Sequence, residues 1–537
     1  MTKQKSFFYI VGATMFFVAA VFLRDLRMTD PDCDVTNEVS TKYGAYLAAQ
    51  HAIYVNDFDS ANRFIQDFAD VEYPSVQNTR IIAEFLGGNM PTDVKKIASD
   101  KNPASRIVYD AYLVQNGKWD DVYKRHIDDK TAIYAPFRIW ASVAKNRVTE
   151  ALKYIDSLDS NPSWRAFIRG QIYAEQGDAD KAADEFAKIN PEFLNMNDYL
   201  YLMSFYTAHN LGVSAIELRT NFASTPGGMF MSEYENIPDW TMYSGIKNAL
   251  AFNLIQNVSH TKIMLYSDLS ILILRFSQII GPESPFFNDT VNYYIGQFFM
   301  NSGGNYAHFF NNISPDNPFY LFGQMQIADS ADSVRAIEKI LRNEPLFIPA
   351  LNKLVARYTA SGDKNKALRI INRAINNKKL SKNGRTYLMK RRALVYLLFD
   401  DIKLAQADVH SASKVLKVDS EILAIQARIW ATQGREFDNA YEYALAMVKK
   451  NPTDIVAWDT LAVVINAREG ADAAFEILER VGASATSCSS LFEHLGDAYL
   501  ARGDKEMARE SYNRAIELAN DGLSVIPKIQ KKIRKIK

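Results

Sequence analysis

Two stretches of this chain superpose without a gap: Tyr358–Ile375 (YTASGDKNKALRIINRAI) and Tyr499–Ile516 (YLARGDKEMARESYNRAI). Each reads as the end of one helix, a Gly-Asp turn and the body of a second helix. Glycine supplies a left-handed C-cap, aspartate starts the next helix, and alanine lets the two helices cross closely. The alanine of the second helix recurs as Ala367, Ala405, Ala440, Ala474 and Ala508, at spacings of 38, 35, 34 and 34 residues. A period in this range marks a solenoid, in which each unit buries its apolar face against its neighbours. Such an array grows by stacking, so 537 residues need not divide into several separate cores.

The last unit holds the large and small positions of the tetratricopeptide (TPR) pattern in order: Phe492, Leu495, Gly496, Tyr499, Ala508, Tyr512 and Ala515, with Gly503 in the turn and Asn520 where proline is usual. Tyr358, Gly362 and Ala367 occupy the same positions earlier, and Trp164–Pro191 supplies another unit with Gly170, Tyr173, Gly177, Ala182 and Phe186. Ala61 and Ala151 mark weaker ones. The chain resembles the TPR superfamily, and its ends are similar to the exported or membrane-anchored TPR proteins common in alphaproteobacteria. That likeness rests on Tyr43–Asp57 (YGAYLAAQHAIYVND), which looks like the group's opening helix, and on Leu491–Ile516 (LFEHLGDAYLARGDKEMARESYNRAI), which looks like its closing unit. It implies an exported scaffold and supplies neither catalytic residues nor a cofactor.

The expected fold is all-α: a TPR-like α-solenoid of stacked helical hairpins with one N-terminal transmembrane helix. Phe7–Leu23 is an uncharged, mostly apolar run flanked by Lys3, Lys5 and Arg24, close to the shortest length that crosses a bilayer core. No small-x-small cleavage pattern follows it, and Cys33 lacks the small apolar residues of a lipoprotein signal before it. Residues 1–25 are therefore read as an uncleaved anchor, with the body on the periplasmic side of a bacterial inner membrane; cleavage would leave it periplasmic or secreted. Residues 40–192 are expected to be TPR-like hairpins, 193–345 divergent aromatic-rich hairpins, 346–519 a C-terminal TPR array and 520–537 a basic amphipathic capping helix. In that last helix Ile526, Ile529, Ile533 and Ile536 line one face, and its lysines could meet anionic lipid or an acidic partner.

Sixty-two basic residues balance sixty-two acidic ones, which with export disfavours nucleic acid as a partner. The seven histidines include no pair at i, i+4, and no phosphate loop or nucleophile elbow occurs. Cys33 and Cys488 stand far apart in sequence, which leaves no disulfide framework. Asp120-Asp121 and Asp400-Asp401 fall in turns, where helix capping is the simplest role. One basic cluster, Lys378, Lys379, Lys382, Arg385, Lys390, Arg391 and Arg392, is a candidate clamp for an acidic peptide. The reading is a non-enzymatic scaffold or assembly factor that binds protein partners at the membrane. The alternative is an envelope glycan- or small-ligand-binding module or enzyme, using Phe286-Phe287, Tyr293-Tyr294 and Phe298-Phe299 as an open pocket.

Overall fold

The computed structural model describes residues 42–536, apart from 56, 67–73, 101, 130, 132, 223–224, 226–227, 229–236, 261–267, 303–305, 331–332 and 416–418. The expected anchor Phe7–Leu23, Cys33, Pro226-Gly227 and Gly303-Gly304 lie outside the described residues. Among those described there is no strand, and no helix is long and apolar enough to cross a membrane.

The chain divides into two compact units, with the boundary after Asp100. The first holds α1 (Lys42–Tyr54), α2 (Phe58–Gln66) and α3 (Pro74–Leu86). Its core is small-residue packing of Ala45, Ala49, Ala52, Ala61 and Ala83 around Ile65.

The second unit opens with four hairpins: α4 (Pro103–Gln115) with α5 (Trp119–Arg125), α6 (Ala135–Ala144) with α7 (Val148–Ser157), α8 (Pro162–Glu175) with α9 (Ala179–Phe186), and α10 (Met196–Ala208) with α11 (Gly212–Phe222). A different pair follows, α12 (Ile246–His260) and α13 (Asp268–Ile280). Hairpins then resume as α14 (Pro285–Ser302) with α15 (Ala307–Asn311) and α16 (Phe319–Ser330) with α17 (Val334–Asn343). Five more make the C-terminal array: α18 (Ile348–Ala360) with α19 (Lys364–Ile375), α20 (Lys382–Leu398) with α21 (Ile402–Ser413), α22 (Ser420–Gln433) with α23 (Phe437–Lys450), α24 (Ile455–Glu469) with α25 (Ala471–Gly482), and α26 (Ser489–Ala501) with α27 (Lys505–Leu518). The chain closes with α28 (Ile526–Lys535).

The repeat chemistry is visible in each matched turn. Gly177, Gly362 and Gly503 take positive φ angles of 77°, 85° and 85°. The following Asp178, Asp363 and Asp504 each accept a backbone N–H three residues on, from Lys181, Lys366 and Met507, all at 3.1 Å. Caps of this kind satisfy backbone donors that the helix itself leaves unpaired. Ala151, Ala182, Ala367, Ala405, Ala440, Ala474 and Ala508 are all fully buried. At Gly496 a Cβ would stand 2.6 Å from the Tyr512 ring, so glycine there is what lets α26 and α27 meet. Tyr358 and Tyr499 also repeat a bond: each hydroxyl donates to a glutamate twenty residues back, Glu338 at 2.8 Å and Glu479 at 3.2 Å.

Two expected details differ. Asp401 stands at the N-cap of α21 but makes no side-chain cap bond, and Asp400 takes a positive φ of 65°. Their carboxylates instead pair with Lys364 and Lys528, which offer full charges where the helix end offers only a dipole. Asp120 likewise pairs with Lys145, at 2.7 Å. The central aromatics form core instead of an open pocket: Phe287, Tyr293, Tyr294, Phe298 and Phe299 are buried, and Phe286 is half-buried. Tyr293 lies 4.7 Å from Phe319, ring centre to ring centre, and Phe299 lies 5.0 Å from Phe309.

Candidate partner-binding groove

In a hairpin solenoid the first helix of each pair lines one face, and a partner segment would lie along it. In the N-terminal four hairpins that face already holds a helix. α12 lies against α6, α8 and α10 and touches the end of α4, on which α13 packs. Lys247 Nζ donates to the carbonyl of Gln115 at the end of α4, and Trp140 Nε1 on α6 donates to Asn253 Oδ1 at 2.6 Å. Asn253 Nδ2 passes the chain on to Gln171 Oε1 of α8, at 2.6 Å. Gln256 Nε2 donates to Asp198 of α10, whose other oxygen meets His260 Nε2 at 2.6 Å. Phe252 packs among Phe167 and Tyr201, with its ring 4.7 Å from that of Tyr201. Leu250, Phe252, Leu254, Ile255 and Val258 are all buried at 0–1% exposure. Returning side chains of this size to water costs about 1.5–3 kcal/mol each, more than an ordinary partner supplies net, so α12 is core and this face is closed.

The C-terminal array presents its first helices differently, as a ladder of polar links between neighbours. Asn352 of α18 donates to the hydroxyl of Tyr387 on α20, at 2.6 Å. Lys390 of α20 reaches Asp419 at 3.0 Å and Glu421 at 2.9 Å, and Arg391 also pairs with Glu421. Arg428 of α22 donates to Asp459 of α24 at 2.7 Å and to Thr460 at 3.1 Å. Asp459 in turn accepts from Ser490 of α26 and meets His494 Nδ1 at 2.7 Å. Burial alone would raise the Glu421 carboxyl, but Arg391 and Lys390 hold it down to about 2. Asp459 is likewise held well below the carboxylate range, against its burial, by His494 and Arg428. Burial would lower His494, yet the Asp459 charge and hydrogen bond leave its pKa raised. The Glu421 and Asp459 carboxylates are therefore ionised around neutral pH.

The basic cluster singled out from the sequence is divided by the fold. Lys390 and Arg391 belong to the ladder. Arg392 grips Asp408 through two bonds of 2.7 Å and reaches Asn372. Arg385 caps the end of α19 by donating to the carbonyls of Ile375 and Asn377. Lys378 and Lys379 are exposed on the connection between α19 and α20, and Lys382 is exposed at the first position of α20. The cluster therefore does not form one clamp, because full charges in a crowded helical layer find intramolecular partners first.

The tail behaves as a cap and also as a strap. Ile529 and Ile536 are buried against the last hairpin, and Lys532 pairs with Glu493 at 2.8 Å and Asp497 at 2.6 Å on α26. Before it, Asp521 accepts from the backbone and hydroxyl of Ser489, at 2.7 and 2.6 Å. The strap then reaches the start of the same array: a Cβ on Gly522 would stand 2.7 Å from Ala356 of α18, and Lys528 donates to the Leu398 carbonyl and Asp400 at the end of α20. The Lys528–Asp400 pair is well exposed and contributes about 0–1 kcal/mol. The strap is held by fewer large buried side chains than α12.

Three histidine–carboxylate groupings join residues far apart in sequence: the buried His126 with Asp110, together with the nearby Asp129, and the half-buried His260 with Asp198 and His494 with Asp459. Asp459 and His494 stand 35 residues apart and Arg428 and Asp459 stand 31 apart, near one repeat period, which was the signal available. No group of three or more metal-ligating side chains occurs among the described residues.

Residues 490–521 match the tetratricopeptide repeat family. No curated protein matches the sequence. Among solved structures, a tetratricopeptide repeat protein from Parabacteroides merdae is 15% identical, over 54% of this chain and 99% of that one, with a TM-score of 0.30. The Cut9–Hcn1 hetero-tetramer of the APC/C is similar at 13% identity over 90% of this chain and 96% of that one, TM-score 0.31. Yeast Tom70 is similar at 14% over 92% and 97%, TM-score 0.25. Likenesses at this level carry no functional argument. The family match covers the last unit alone, and the same Gly-Asp turns and buried alanines recur upstream of it, so the array as a whole resembles tetratricopeptide repeats.

Proposed function

We propose that the chain is a non-enzymatic protein-interaction scaffold whose C-terminal array, residues 346–519, takes a helix of a partner protein along its first helices. The observation that carries this reading is α12: within this same molecule, the equivalent face of the N-terminal hairpins holds a helix through side-chain amide bonds and aromatic packing. A face of this construction suits a helix, and along the C-terminal first helices Tyr387, Glu421 and His494 stay half-exposed beside the buried ladder groups. We further propose that residues 1–25 anchor the scaffold in a bacterial inner membrane with the repeats in the periplasm. Confinement to a surface raises the effective concentration of weak partners, so modest groove affinity suffices for assembly.

A photo-crosslinking amino acid at Tyr387, on the face lined by first helices, or at Tyr441, on the second helix α23, tests the site in intact cells. Discrete partners captured from position 387 and absent from 441 support the reading; capture from 441 alone, or from neither, overturns it. Protease accessibility of the repeats in intact spheroplasts tests the orientation, and repeats protected there would place them on the other side.

A further inference from the structure

The C-terminal array is closed by its own chain. Segment 519–536 runs from the N-terminus of α26 past α18 to the end of α20, then turns into α28 on the last hairpin. Its contacts follow a pattern. Acidic Asp521 holds Ser489 at one end, Leu523 packs against the cores of both the second hairpin and the last hairpins, and Ser524 donates to Glu493 at 2.7 Å. Lys528 and Lys532, one helical turn apart, meet carboxylates of α26 and of the α20–α21 turn, while Ile529, Ile533 and Ile536 face the core. Pro527 fits beside Gly362, where a Cβ would stand 2.9 Å from its ring.

This is the geometry of a bound ligand that happens to be covalently attached. Its apolar anchors are small or spaced along the segment: Ala519, Val525, Ile529 and Ile536 are buried, while Leu523, Ile526 and Ile533 are half-buried. Its charges are matched by Asp400, Glu493 and Asp497, which form an acidic rim that does not depend on the ladder for its partners. The neighbouring ladder pairs, Lys390–Glu421 and Arg428–Asp459, are complete without the tail, so the array keeps its charge balance when the tail leaves.

We propose that segment 519–536 is a displaceable occupant of the C-terminal array, and that the partner which replaces it is a basic amphipathic helix of the same pattern: isoleucine-like anchors three to four residues apart, with lysines or arginines a turn apart facing Asp400, Glu493 and Asp497. The inference deepens the scaffold reading and rests on it. Attachment keeps the tail at high effective concentration, so the array stays closed until a partner of matching charge competes. The tail thereby sets a threshold that weak, unmatched helices do not pass.

The probe is a fluorescent peptide of residues 519–536, titrated into the full chain and into the full-length variant Lys528→Glu/Lys532→Glu, whose own tail is repelled by the acidic rim. The proposal expects the peptide to bind the variant about ten-fold or more tighter than the wild type, because the intramolecular competitor is gone. A peptide carrying the same two substitutions should lose that binding. Equal binding of the wild-type peptide to both proteins, binding to neither, or equal binding of the substituted peptide overturns the proposal. If the variant does not fold, hydrogen exchange on the wild-type chain decides. Amides of α28 exchanging faster than those of α26 and α27 support independent opening, and identical rates in all three overturn it. Loss of the displaceable tail leaves the scaffold reading standing if the crosslink at Tyr387 still captures partners; loss of both would remove the groove itself.

Discussion

Replacing Asp459 with alanine would remove the carboxylate that Arg428, Ser490 and His494 share across three neighbouring first helices. Arg428 is 8% exposed and Ser490 1%, so neither recovers its lost partner from water. Breaking a buried ion pair from one side costs about 3–5 kcal/mol, because the remaining charge stays buried without compensation. The half-exposed His494 adds little to that sum. Long arrays do not unfold as one unit, so a single melting midpoint is the wrong readout. Native-state hydrogen exchange measures local opening free energies and should show the loss in α22 to α26, with α4 to α12 unchanged. A second variant separates pairing from charge: Arg428→Met/Asp459→Leu/His494→Leu replaces the whole network with apolar side chains and should cost less than Asp459→Ala alone. A loss below about 1 kcal/mol for Asp459→Ala, or a triple variant worse than the single one, would refute the claim that the ladder is a buried charge network.

Three other outcomes follow from particular contacts. Trp140→Phe strands the buried Asn253 oxygen and should lower stability by about 1–3 kcal/mol, read as faster hydrogen exchange in α12. Cys488 is buried, with its thiol pushed up to about 12 by burial and then by the Asp459 charge, so iodoacetamide should leave it unmodified in the native chain and label it after unfolding, as mass spectrometry of the peptide reports. His126 is fully buried; burial would lower its pKa, but hydrogen bonds to Asp110 and Asp129 leave it raised above 6.5. Its contribution is therefore complete below pH 6.5 and lost as pH rises through the raised value, so the local opening free energy of α4 and α5, from hydrogen exchange corrected for intrinsic rates, should fall over that range in the wild type and stay flatter in His126→Gln.

The array was legible because its markers are local. Gly-Asp turns and the alanines at a period near 34 residues need only neighbouring hairpins to give them meaning, and every marker alanine named from the sequence is fully buried. The inward α12 was not legible. Asn253 and Gln256 are polar, and only the non-local partners Trp140, Gln171 and Asp198 give them a place in the interior. The basic cluster misled for a related reason. A run of charges in sequence says nothing of acceptors thirty residues on, and Asp419 and Glu421 are what absorb Lys390 and Arg391. The tail's isoleucine face packs on the last hairpin, whereas its reach to Ala356 and Asp400 depends on the curvature of the five hairpins between them, which no local pattern encodes.

The central claim is that partners lie along the first helices of the C-terminal array. Hydrogen exchange of the full chain, with and without a partner recovered by crosslinking, tests it most directly. The account predicts new protection concentrated in α20, α22, α24 and α26, with α28 deprotected as the tail is displaced. Protection confined to the second helices α21, α23, α25 and α27, or no change in the C-terminal array at all, would contradict it.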